Sequence, residues 1–96
     1  MLLQAYCVYD ECTETYGVPF FMVNDKTAER AFFQLVNDPQ STVFRSPQDF
    51  SLYCIGTYHD NAGLLTAETH KLIGRAPSYV QRLDVTSLQE ESNHVS

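Results

Sequence analysis

The sequence predicts an α+β domain: a mainly antiparallel sheet of three to four strands, one main amphipathic helix and a flexible C-terminal tail. Three observations carry this. One window has the helical period of 3.6, two long windows alternate apolar residues with the period of a strand, and the last dozen residues have no clear period. With 96 residues, the chain makes one domain, expected over residues 1–84, and the polar segment 85–96, "VTSLQEESNHVS", is expected to be disordered.

The first strand is "LLQAYCVY". Leu3, Ala5, Cys7 and Tyr9 face one way, and Gln4, Tyr6, Val8 and Asp10 the other. "DECTETYG" is polar and reads as a loop. "VPFFMV" is a short second strand, with Pro19 suited to an edge. The helix lies in "NDKTAERAFFQLVNDP", where Ala28, Ala31, Phe32, Leu35 and Val36 form one apolar stripe. Asn24 is its N-cap, Asp25 favours the positive end of the helix dipole, and Pro39 ends the element near Asn37. Phe33 stands off the stripe, on the side of Lys26 and Arg30, and either packs at the core margin or is exposed.

Beyond the helix, Ser46 before Pro47 is the pattern of an N-cap and first helical residue, so "SPQD" is one helical turn. Between the two prolines, Phe44 is expected to anchor the loop on the core edge; the alternative is that the loop presents Arg45 to a partner. "FSLYCIGTYH" is the second long strand, with Phe50, Leu52, Cys54, Gly56 and Tyr58 on one face. "DNAG" is a turn, "LLT" returns as a hairpin partner, "HKLIGRA" adds a further strand, and "PSYVQRL" starts a short helix at Pro77. Both long strands carry large apolar groups on both faces, and one helix of three turns covers only one. The C-terminal helix or another copy of the chain must cover the second face, so a homo-oligomer is expected.

The charge of −6, from twelve acids and six bases, gives no long-range attraction to nucleic acid or anionic membrane. No apolar run is long enough to span a membrane. Without an export signal, Cys7, Cys12 and Cys54 read as reduced thiols, with Cys7 and Cys54 buried. The spacings of Cys7, Cys12, His59, His70 and His94 match no metal-ligand pattern. No nucleophile motif or phosphate loop is present. The chain is therefore read as a non-enzyme with no metal or cofactor.

Binding single-stranded DNA needs a cationic track with exposed aromatic rings. The best local segment runs from Lys71 through Arg75 to Arg82, with Tyr79 inside it and no acid between Glu68 and Asp84. Arg30, Arg45 and Lys26 can extend it. Phe33, Phe44 and Tyr53 are the rings that can stack, and they are equally candidates for a protein interface. Basic side chains more often solvate a surface, and aromatic rings more often fill a core.

The run from Tyr16 to Leu65 carries "G-x-P-F", then "N-D-x-x-A-x-R-x-F" leading into "L-V-N-D-P", then "P-x-D-F-x-L-Y-x-[IL]-G" and a "D-x-x-G" turn. In these patterns it resembles the small nonstructural protein of gokushoviruses, members of the Microviridae with circular single-stranded DNA. It departs from the family at Tyr9, where relatives have a basic residue before Asp10. The resemblance implies a protein without enzymatic activity that acts in viral DNA replication or in the switch to packaging single-stranded genomes. It places the protein in the cytoplasm of the infected bacterial host and outside the virion, and it transfers no binding residue. Single-stranded DNA is one expected partner. The rival reading is an acidic oligomeric interaction module that binds the phage replication protein or a host helicase without touching DNA.

Phe32 lies at the centre of the helix stripe. Phe32→Ala is expected to cost about 3–5 kcal/mol in urea unfolding, and unchanged stability would overturn the helix register.

Overall fold

The computed structural model describes residues 1–81. The expected tail at 85–96, and the part of the expected C-terminal helix beyond residue 81, lie outside the described residues.

Among the described residues, five strands and one main helix make an α+β fold. The strands are β1 (Leu2–Asp10), β2 (Thr15–Tyr16), β3 (Phe20–Met22), β4 (Phe50–His59) and β5 (Leu64–Arg75). The main helix, α1 (Asp25–Val36), follows β3, and a single turn, α2 (Thr42–Arg45), follows α1. Every strand pairing is antiparallel, in the order β2-β1-β4-β5, with β3 also paired to β1.

Local chemistry explains the ends of α1. Asn24 is extended, and its side chain accepts the Thr27 N–H at 2.9 Å. Ala28, Phe32 and Val36 are fully buried, so the stripe has the register expected of it. At the other end, the Asn37 side-chain amide donates to the carbonyls of Phe33 at 2.9 Å and Tyr79 at 2.8 Å, while its carbonyl accepts the Gln81 N–H. One side chain thus satisfies a helix end and pins the segment that follows β5.

The loop after α1 differs in detail from expectation. Ser41 caps α2 by accepting from Val43 and Phe44, whereas Ser46 makes no side-chain cap on the 3-10 turn Pro47–Asp49. Val43, 3% exposed, is the buried anchor there, and Phe44 is only half-buried.

The last part of the sheet also differs. "LLT" and "HKLIGRA" belong to one twelve-residue strand, β5. Register shifts opposite Leu52/Tyr53 and Cys54/Gly56 let the polar residues between them stay in the strand. After β5 the chain forms a 3-10 turn, Ala76–Tyr79.

A second irregularity changes the faces of β4. Tyr6 pairs with Cys54, but Ala5 pairs with Gly56, so Ile55 is an extra residue. Paired residues share a face. Gly56 and Tyr58 therefore lie opposite Phe50, Leu52 and Cys54, not beside them as the alternation suggests. β5 also passes close to Gly56, since a Cβ there would meet the Thr66 carbonyl oxygen.

The core lies between α1 and one sheet face. Tyr6, Phe32, Val36 and Leu52 are its largest fully buried members in the cluster, joined by Val43, Cys54 and Ala76. Tyr6 has no solvent exposure, yet its hydroxyl donates to Asp25 Oδ1 at 2.6 Å, and Lys71 Nζ on β5 donates to Asp25 Oδ2 at 3.0 Å. One carboxylate in the first turn of α1 thereby joins β1 and β5.

The Tyr6 hydroxyl, then Lys71, holds the Asp25 carboxyl below its ordinary value of 3.8. Burial, then Asp25, raises the Tyr6 phenol far above its ordinary 10.0. The Asp25 contribution is present above its ordinary value and is lost as pH falls through the lowered one. The Tyr6 contribution is complete below about pH 10 and is lost at higher pH. Tyr6→Phe is expected to cost about 1.5–3 kcal/mol in urea unfolding at neutral pH and to flatten both limbs of the stability profile. A Tyr6→Phe protein with wild-type stability and an unchanged acid limb would show that the bond contributes nothing.

Candidate binding face

The sheet face turned away from α1 carries a cluster of rings. Tyr9 on β1 pairs with Tyr16 on β2, with ring centroids 4.5 Å apart. Tyr53 on β4 stands 6.1 Å from each of them, edge-on. His70 on β5 lies 5.2 Å from the Tyr16 ring and 6.2 Å from that of Tyr53, and its Nδ1 is 3.3 Å from the Tyr16 hydroxyl. Four strands thus contribute one ring each. Tyr16 is 47% exposed, Tyr9 and Tyr53 are half-buried, and His70 is exposed.

The turn between β1 and β2 builds the first half of this cluster. Glu14 adopts the left-handed conformation (φ 58°), which brings Thr15 back opposite Asp10. The rings are amphipathic: stacked faces exclude water while hydroxyls remain at the surface. Burial among the rings, with Glu14 and Glu11 nearby, holds the Tyr9 phenol above its ordinary range.

Farther along the same face, Phe21 lies against Tyr58 with centroids 5.5 Å apart. Phe21, Ala5, Pro19, Ile55 and Leu65 line a shallow apolar pocket of about 230 Å³. Leu72, 49% exposed, pairs with Tyr53 and shares its face. Cys7, also on this side, is fully buried; Cys54 is buried on the helix side, and Cys12 is exposed.

The basic residues singled out in the sequence do not gather on this face. Lys71 shares the helix side with Cys54 and is tied to Asp25. Arg75 Nη2 lies 3.7 Å from Glu11 Oε1 and donates to the Gln48 carbonyl. Arg30 is exposed on α1 and Arg45 on α2, and neither makes an ion pair among the described residues. Arg82 lies outside the described residues.

Among the aromatic candidates, only Tyr53 belongs to the ring cluster. Tyr79 packs edge-on against Phe32 at 5.5 Å, and its hydroxyl donates to Glu29 at 3.2 Å, so its ring serves the core. Phe33 on α1 and Phe44 on α2 are half-buried. Tyr9, Tyr16 and His70 were not singled out. The pattern Tyr-x6-Tyr around the acidic turn was the available signal, because a four-residue turn closed by the Asp10–Thr15 pair sets the two tyrosines opposite each other.

No group of residues able to hold a metal ion occurs among the described residues, and no described helix is long and apolar enough to cross a membrane. Chemically, the face offers π-surfaces, phenolic hydroxyls, one imidazole and an apolar pocket. Such a surface can stack planar groups or seat apolar side chains.

The family model described as "Phage ORF5 protein" matches residues 3–79, and the chain belongs to that family. No curated protein and no solved structure matches it.

Proposed function

We propose that this member of the Phage ORF5 family is a non-enzymatic protein that binds single-stranded DNA through the ring cluster Tyr9, Tyr16, Tyr53 and His70. The observation that carries the reading is the placement of four partly exposed rings, from four strands, on the sheet face that no described helix covers. Stacking of bases on aromatic side chains is tolerant of sequence and contributes roughly 1–3 kcal/mol per base. The sequence motifs shared with gokushovirus nonstructural proteins support a role in viral DNA replication or in the switch to single-stranded genome packaging.

Charge limits the electrostatic part of the binding. Lys71 and Arg75 already face Asp25 and Glu11, and the chain carries −6 overall. Few phosphates can then be neutralised, and stacking must supply most of the affinity. That charge pattern favours a second reading, in which the same face seats an apolar or aromatic side chain of a replication protein or host helicase. Half-exposed tyrosines are frequent anchors at protein interfaces.

Anisotropy of a labelled oligothymidylate separates the two. Binding at low salt is expected, with log K falling against log salt at a slope of roughly −1.5 to −2, as for two or three phosphates on a single strand. Tyr16→Ala and Tyr53→Ala are each expected to weaken binding about tenfold or more, with little change in thermal stability for the exposed Tyr16. Absence of binding at low salt would overturn the DNA reading and leave the protein-docking one. Binding unaffected by both substitutions would place the DNA elsewhere on the molecule.

A further inference from the structure

We infer that the outer edge of β5 is a two-fold interface, on which a second copy of this chain adds its own β5 antiparallel to form one continuous sheet. Three observations carry this.

First, β5 ends the sheet order, so one of its edges has no strand beside it among the described residues. An open edge of this length is a template for another strand.

Second, the strand is underpartnered on its faces as well. All nine residues from Leu64 to Leu72 are exposed, including Leu65 at 62% and Leu72 at 49%. Such a run, joined to the body on one edge and largely open on both faces among the described residues, is a weak element by itself.

Third, the strand is complementary to itself in one register. Glu68 is the only acid in β5, and Lys71 stands three residues later. Glu68 bonds to Thr57, which pairs with Gln4 on the helix side, and Lys71 pairs with Cys54, also on the helix side. Ala67 pairs with Gly56, and Leu72 with Tyr53, so both lie on the opposite face. A two-fold axis between Thr69 and His70 sets Glu68 against the partner's Lys71 and Ala67 against the partner's Leu72, twice each. Charge meets opposite charge, apolar meets apolar, and every facing pair named shares a side of the sheet. Sliding the register by one residue would set Glu68 against a residue of the opposite face.

An isologous contact of this kind closes on itself and stops at two copies. The axis passes beside His70, so the two ring clusters would share one side of the combined sheet. The dimer stands independently of the DNA reading, because it uses the edge of β5 and not its rings.

Sedimentation equilibrium of the purified protein tests the proposal. The wild type is expected at twice the chain mass of 10.9 kDa at tens of micromolar. Glu68→Lys places like charges together twice and is expected to sediment as a monomer. Its side chain is exposed and, among the described residues, bonded only to Thr57 at 3.3 Å, so the domain remains folded. Lys71→Glu alone is also expected to be monomeric, while an equimolar mixture with Glu68→Lys regains the dimer, since each pair is then of opposite sign. A Lys71→Glu protein that fails to fold, having lost the Asp25 contact, is replaced by Glu68→Gln, which is expected to dimerise more weakly than wild type and more strongly than Glu68→Lys. A monomeric wild type, or a Glu68→Lys protein that remains fully dimeric, would overturn the interface.

Discussion

The hydroxyl of Tyr6 is the contact on which the arrangement of helix and sheet depends. Its ring has no solvent exposure and lies among Ala28, Phe32, Val36 and Leu52. A buried phenol without a partner would be costly, and Asp25 supplies one at 2.6 Å. The same carboxylate caps the dipole of α1 and receives Lys71 from β5. The exposed Lys71–Asp25 pair is worth little by itself, because both side chains are well solvated. The buried hydroxyl is different: it sets how far along β1 the first turn of α1 can sit, and so which sheet residues the helix covers.

With α1 committed to that face, the other face takes its character from what remains. The irregularity at Ile55 sends Gly56 and Tyr58 to it, and the tight acidic turn brings Tyr16 beside Tyr9. Rings gather there, while Lys71 and Arg75 are each set beside an acid. Lys71 is directed to the helix side by its register opposite Cys54, and Arg75 is balanced by Glu11. The resulting surface is aromatic and nearly free of net positive charge. Its recognition therefore rests on stacking and desolvation, with little help from long-range attraction.

The irregularities in β4 and β5 have a common consequence. Each moves one residue out of phase, so the strand runs past its polar segment without turning its apolar residues to the wrong side. Glu68 and Lys71 end on the same side of β5 for this reason. Without the register shift opposite Cys54 and Gly56, residues three apart in a strand would stand on opposite faces. The self-complementary edge is a product of that shift.

The sequence by itself determined the helix, its cap at Asn24, its buried stripe and its end before Pro39. It also determined β1 and β4, the turn at Gly63, and the burial of Cys7 and Cys54. These follow from local rules: a 3.6 period, a two-residue period, and the backbone preferences of Asn, Pro and Gly. Only the tertiary structure decided which rings meet. Tyr79 looked available in the chain, yet the turn after β5 puts it on Phe32. Tyr53 and His70 are far from Tyr9 and Tyr16 in sequence and become their neighbours through strand pairing alone. Likewise Lys71 and Arg75 read as a free basic segment until folding sets Asp25 and Glu11 beside them. The physical reason is one of range. Periodicity reports which side of its own element a residue takes, whereas cross-strand neighbours depend on register, and a single extra residue at Ile55 is enough to change it.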